Sequence, residues 1–186
     1  MKLAVAITIV SLAAFAHAGD LSGKTAASGG AAVVYVEKIA GKTFPAPAQH
    51  FSIDQRSLMF QPHVLVVPAG STVDFVNSDT VAHNVFWPGV SGNRKLSHNL
   101  GTWPQGEKKS FTFDSPGVVT LLCNVHPEMS AYIVVSPTPY YAQADAGGNY
   151  AIHNIPDGNY TVTVWHEGGK PASKTVAVSG STKLDL

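Results

Sequence analysis

The sequence predicts an all-β protein, and three observations predict it. Short runs rich in Val, Ile, Thr, Tyr and Phe recur between Gly, Pro, Asn and Asp punctuation, which is the spacing of a β-sandwich or barrel. Beyond the first residues, no stretch keeps an apolar period of 3.6 over ten or more positions, so helix is a minor component. Charged residues make up only 13% of the chain, with Lys plus Arg and Asp plus Glu balanced at 12 each. That balance excludes a nucleic-acid surface or an electrostatic membrane patch.

The chain opens on "MKLAVAITIVSLAAFAHAGD". Lys2 supplies a positive start, Leu3 to Ala16 form an apolar run, and Ala16-His17-Ala18 is a small-x-small cleavage site. Residues 1–18 therefore read as a cleaved signal peptide, with Gly19 starting the mature chain in the periplasm or outside the cell. The run is shorter than the ~20 apolar residues of a spanning helix, and no later segment is long and apolar enough to span. About 168 residues then remain, enough for one sizeable core or two small ones.

The first mature strand is "AAVVYVE", within residues 28–41. "HVLVVPAG" and "STVDFVNSD" follow, then "KSFTFDSPG", "VVTLLC" and "AYIVV", each bounded by turn residues. Pro137 and Pro139 disfavour a continuous central strand and mark a boundary. After it, "GNYAIHNI" and "GNYTVTVW" flank the turn signal Asp157-Gly158, and "KTVAV" closes the pattern. This tail of about 48 residues is too small for a secure core of its own and needs strands from elsewhere in the chain.

The chain has one cysteine, Cys123, in "VVTLLCNVHPEMSAYIVV". It cannot form an internal disulfide, so it is a buried thiol, half of an intermolecular bridge, or a reactive or metal-bound thiolate. Its neighbours favour the last. Cys123 ends a strand, His126 and Met129 lie in the short loop before the next, and His83 follows the strand "STVDFVNSD". Adjacent antiparallel strands bring these segments to one end of a sandwich. Two imidazoles, a thiolate and a thioether are the ligand set of a blue-copper electron-transfer centre, in which soft sulfur suits Cu(I) and imidazole also suits Cu(II).

"SDTVAHNVFW" together with "CNVHPEM" resembles the cupredoxins, the plastocyanin/amicyanin-like blue-copper family. The resemblance covers roughly residues 52–136. It implies a Greek-key sandwich with one type 1 copper ion near its end, held by His83, Cys123, His126 and Met129, and outer-sphere transfer of single electrons. It also implies that Asn84 ties the two ligand loops together and that His126 is the electron port. "DAGGNYAIHNIPDGNYTVTVWHEG" resembles a transthyretin-like, carboxypeptidase-regulatory-like β-sandwich. The expected organisation is a copper domain over 49–137, with 19–48 plus 139–186 forming the second module around it. The alternative assigns "AAVVYVE" to the copper domain.

The rival readings are plainer. A lone buried cysteine commonly behaves as a small hydrophobe. Structural zinc sites use Cys, His and carboxylate rather than thioether. A Cys/His catalytic pair lacks an identifiable oxyanion donor or third orienting group, so no enzymatic activity is expected. His50, His63, His98, His153 and His166 have no ligand spacing and read as structural, although "VWHEGG" places Trp165, His166 and Glu167 where they could face the copper domain. The expected partners are redox proteins such as a c-type cytochrome or a periplasmic dehydrogenase, docking on an apolar patch at Phe86, Pro88 and Pro127. Copper storage or delivery, and a scaffold role for the tail, are the alternatives. Only Met59 and Met129 follow the leader, too few methionines for a typical flexible copper-relay site.

Overall fold

The computed structural model describes residues 17–26 and 31–186; the expected leader, apart from its last two positions, lies outside the described residues. In chain order the strands are β1 (Ala18–Lys24), β2 (Ala32–Val36), β3 (Phe51–Arg56), β4 (Met59–Gln61), β5 (Val64–Pro68) and β6 (Ser71–Asn77). They continue with β7 (His83–Trp87), β8 (His98–Trp103), β9 (Lys108–Phe113), β10 (Gly117–Leu122) and β11 (Ser130–Ser136). The last are β12 (Tyr141–Gln143), β13 (Asn149–Pro156), β14 (Gly158–His166), β15 (Ala172–Val178) and β16 (Ser181–Lys183). The described residues hold one short 3-10 turn, Arg94–Leu96.

Strands β3 to β11 build one sandwich. Its five-stranded sheet has the order β5-β11-β10-β7-β8 and its four-stranded sheet the order β4-β3-β6-β9. Two pairings, β3 with β6 and β5 with β11, are parallel and join strands distant in sequence, so the chain must cross between the sheets. In β6, Ser71, Val73, Phe75 and Asn77 all point inward and are buried, while Thr72, Asp74 and Val76 are only partly covered. That period of two is what a strand with one face on a core produces. Ile53, Phe75, Val85, Trp87, Trp103, Leu121 and Ile133 meet between the sheets.

The remaining strands form a second pair of sheets, β13-β1-β16 and β12-β2-β14-β15, around Leu21, Val34, Val36, Ile152, Ile155 and Val162. The hydrogen-bonded neighbours of β2 are β12 and β14, both antiparallel. The chain therefore leaves this body after β2, builds the larger sandwich, and re-enters at β12 beside the strand it left.

Where the two bodies touch, Val33, Val64, Val134 and Trp165 form a small buried cluster of their own. This explains why β2 reads "AVVYV" rather than as a clean alternation: Val34 and Val36 fill the second core while Val33 faces the interface. Trp165 lies 5.2 Å from the Tyr132 ring, and Glu167 accepts or shares a proton with His63 at 2.9 Å. Of the three residues in "VWHEGG", Trp165 and Glu167 contact the larger sandwich. His166 instead meets the Glu167 carbonyl and folds over Gly169.

Strand β1, "AGDLSGK", carried no strand signal in sequence. Gly19 and Leu21 are its buried residues, and the two glycines weaken any strand pattern. The structure gives the glycines another purpose, since β1 lies between antiparallel β13 and parallel β16. A Cβ on Gly23 would stand 1.9 Å from the Leu184 carbonyl oxygen, and one on Gly19 would stand 2.6 Å from that of Gly180.

Removing the ring that joins the bodies should be costly. Trp165→Ala is expected to destabilise the protein by about 3 kcal/mol, the lower range for deleting a buried tryptophan. It should also separate thermal unfolding into two transitions as the sandwiches lose their contact. Differential scanning calorimetry checks this, and a single unshifted transition would show that the cluster does not couple them.

Candidate metal centre

The predicted ligand residues come from two places in the larger sandwich. His83 is the first residue of β7, and Cys123 immediately follows β10. Residues 123–129 then turn back into β11, with Met129 N–H donating to the His126 carbonyl at 3.0 Å. Antiparallel pairing of β10 with both β7 and β11 places these segments at one end of the sheet.

There His83, Cys123 and His126 converge. One ligand atom from each lies within 4.8 Å of the others, and the two Nδ1 atoms are 3.0 Å apart. His83 is fully buried, Cys123 nearly so, and His126 is partly exposed. Met129 is buried three residues beyond His126. The cluster contains no carboxylate, so its chemistry is imidazole and sulfur, a donor set that fits copper in either oxidation state.

Two backbone groups are aimed at the sulfur. Asn84 N–H and His126 N–H each donate to Cys123 Sγ at 3.4 Å, from β7 and from the ligand loop respectively. Donors of this kind favour the thiolate and tune the potential of a metal bound to it. The Asn84 side chain closes the same junction. Its Nδ2 donates to Asn99 Oδ1 at 2.9 Å and to the Gly101 carbonyl at 2.8 Å, and its Oδ1 accepts Asn124 N–H at 3.3 Å. β7, β8 and the ligand loop are thus strapped together beside the cluster.

The turn before His83 is organised by Asn77, which is fully buried. Its Nδ2 donates to the Val81 and Trp103 carbonyls at 2.9 and 3.0 Å, and its Oδ1 accepts Asp79 N–H at 2.9 Å. Asp79 in turn places Oδ2 2.8 Å from His83 Nε2, behind the ring rather than among the converging atoms. Its carboxylate also accepts Ser57 N–H at 2.7 Å and Leu58 N–H at 2.9 Å. Burial pushes the Asp79 carboxyl upward, but the bonds from Leu58, His83 and Ser57 outweigh it and hold the group below the usual carboxylate range. Sequence reasoning missed Asp79. The one available signal was an acidic residue four positions before the first histidine.

Ser57 and Leu58 join β3 to β4 with φ of 55° and 56°. Consecutive left-handed residues with side chains cost about 1–2 kcal/mol each, and Asp79 holds both N–H groups of this turn. The turn puts Leu58 and Met59 on the surface at the metal end. Together with Val81 and Val125 they are the exposed large hydrophobic residues among those described, at 43%, 52%, 44% and 47%. Val81 lies in the loop leading to His83, and Val125 adjoins His126. The patch expected at Phe86, Pro88 and Pro127 is corrected accordingly. Pro127 is exposed in the ligand loop, but Phe86 is partly covered and pairs with Leu122, and Pro88 lies beyond the end of β7 opposite His83.

The other histidines have partners elsewhere. His50 meets Asp74 at 3.0 Å, His153 meets Asp20 at 3.2 Å, and His98 packs against Trp87 and Phe111.

Residues 47–136 match the plastocyanin/azurin family of copper-binding proteins, and residues 127–186 match domain II of polysaccharide lyase family 4. A plastocyanin from Scenedesmus fuscus is 31% identical over 78 residues, covering 39% of this chain and 80% of that protein. Among solved structures, an amicyanin variant in its Cu(I) state is 22% identical and covers 47% of this chain and 82% of that one, with a TM-score of 0.43. A copper-containing nitrite reductase from Thermus scotoductus is 26% identical over 54% of this chain and 25% of that one, with a TM-score of 0.44.

The strap at Asn84 is directly testable. Asn84→Ala removes the donor to the partly buried Gly101 carbonyl and the acceptor of Asn124 N–H, and should destabilise the protein by about 1 kcal/mol. Chemical denaturation measures it, and an unchanged midpoint would mean that the ligand loop is held by other contacts.

Proposed function

Because the chain belongs to the plastocyanin/azurin family of copper-binding proteins, we propose that it is an exported carrier of single electrons between redox proteins, and not an enzyme. The observation that carries this reading is the enclosure of the donor set: His83, Cys123 and Met129 are buried, and His126 alone is partly exposed. Bound copper supplies a Cu(II)/Cu(I) couple. His83 and His126 would offer Nδ1, Cys123 its thiolate and Met129 a weakly donating thioether. Strands β7, β10 and β11 fix these side chains in advance, so little has to move when an electron arrives. Burial of three donors also disfavours handing over the ion itself, as storage or delivery would require.

His126 serves as the port in this reading. Leu58, Met59, Val81 and Val125 surround the metal end with apolar surface, suited to a small, transient contact. A c-type cytochrome or a periplasmic dehydrogenase is the partner class that fits an exported carrier. We assign residues 49–137 to the copper domain and 19–48 with 139–186 to a transthyretin-like module, following the strand pairings of β2 with β12 and β14. Cleavage of residues 1–18 would deliver the protein to the periplasm or the exterior.

Visible spectroscopy tests the assignment. The oxidised, copper-loaded protein should be intensely blue or green from thiolate-to-Cu(II) charge transfer, and Cys123→Ser should abolish the band because Cys123 is the only cysteine. A coloured Cys123→Ser protein would show that the thiolate is misassigned.

Met129 should tune the copper rather than hold it. Met129→Leu is expected to keep the band while raising the reduction potential, since a weakly donating thioether would help Cu(II) more than Cu(I). A tenfold change in the relative stability of the two states is about 59 mV, and a shift of that order is expected by voltammetry. A lowered or unchanged potential would remove Met129 from the coordination sphere.

A further inference from the structure

We propose that Asp79 is a positioning residue that joins the ligand His83 to the hairpin carrying Leu58 and Met59, so that one carboxylate governs both the electron affinity of the metal centre and the shape of the docking rim. The proposal rests on the copper reading above.

Three contacts carry it. Asp79 Oδ2 lies 2.8 Å from His83 Nε2 and 2.9 Å from Leu58 N, while Oδ1 lies 2.7 Å from Ser57 N. The carboxylate is itself anchored, since Asp79 N–H donates to Asn77 Oδ1 at 2.9 Å and to the Gln55 carbonyl at 3.2 Å. The Asn77 contact ties it to β6, and the Gln55 contact ties it to β3 of the hairpin itself. With Nδ1 of His83 turned toward His126, Nε2 is the ring nitrogen left to donate, and a carboxylate receiving that proton fixes the tautomer and ring plane. It also makes the imidazole a stronger donor, which favours the more positively charged state of the centre.

The hairpin end has its own requirement. A two-residue turn with both residues left-handed ordinarily takes Asn-Gly or Gly-Gly. Here it is Ser57-Leu58, at φ of 55° and 56°, and both N–H groups end on Asp79. The sequence accepts an unfavourable turn, and the same acceptor that holds it also holds His83. Oδ2 is shared between Leu58 N–H and the ring, so a stronger pull from either partner weakens the other. By reciprocity, whatever fixes Leu58 must alter the centre to the same degree that the centre alters Leu58.

The test separates the two ends. In copper-loaded protein at neutral pH, Asp79→Ala and Asp79→Asn should both raise the reduction potential, with a tenfold loss of preference for Cu(II), or about 59 mV, expected for Asp79→Ala. In metal-free protein, Asp79→Ala should speed amide exchange at Leu58 and the following hairpin residues at least tenfold. Adding Ser57→Asn and Leu58→Gly to Asp79→Ala builds a turn that needs no carboxylate. That triple variant should recover hairpin protection and thermal stability while its potential stays raised. Recovery of the potential as well would show that Asp79 acts only through the fold, and would overturn the proposal. So would an unchanged potential in Asp79→Asn, the variant to use if Asp79→Ala does not fold. A wild-type protein without the thiolate band would defeat the copper reading instead, and the metal-free exchange data would still decide the hairpin half.

Discussion

The sulfur of Cys123 receives two backbone N–H groups, one from β7 and one from the loop that follows β10. Neither donor can be supplied by a side-chain substitution, because each belongs to the main chain. The distance between β7 and the ligand loop must therefore be right before any metal arrives. The larger sandwich is arranged to satisfy that condition. β10 lies between β7 and β11, Asn84 straps the strand to its neighbours, and Asn77 fixes the turn that starts β7. The core residues beneath, Val85, Trp87, Leu121 and Ile133, stop these strands from sliding. A metal site built this way spends no binding energy on ordering its own ligands, in keeping with the preorganisation that a functional centre requires.

Much of this was legible because the relevant signals are local. The alternation in "STVDFVN", the β-branched run "VVTLL" and the Asp157-Gly158 turn all mark elements whose pattern depends on a few neighbouring residues. The spacing of Cys123, His126 and Met129, with Cys123 ending a strand and His83 just after one, likewise pointed to one end of a sandwich. What stayed hidden depends on distant partners. β1 is a strand because β13 and β16 flank it, and its glycines make room for the backbone on either side of β16, at Gly180 and Leu184. β8, "HNLGTW", contains Gly101 at a positive φ and looks like a loop until it is seen beside β7.

The expectation of an exposed patch at Phe86, Pro88 and Pro127 has the same origin. Phe86 and Pro88 are close to His83 in sequence, but a strand rises ~3.3 Å per residue, so Pro88 is carried toward the opposite end of the sheet. Leu58 and Met59 are far from the ligand residues in sequence and are brought to them by a hairpin whose turn Asp79 connects to His83. Surface patches are assembled from loop tips, and tips that lie together need share no periodicity.

Two connections join the bodies, from β2 to β3 and from β11 to β12, and the strands they leave, β2 and β11, carry Val33 and Val134 of the small cluster shared with Val64 and Trp165. A module attached by one linker can swing freely and is lost to a single proteolytic cut. One attached by two crossings behaves like a door on two hinges. Cleavage of either crossing leaves the other in place, and rotation is confined to the axis that both allow. The metal end therefore keeps a set direction relative to the second sandwich, so a force applied to either body is felt by the other.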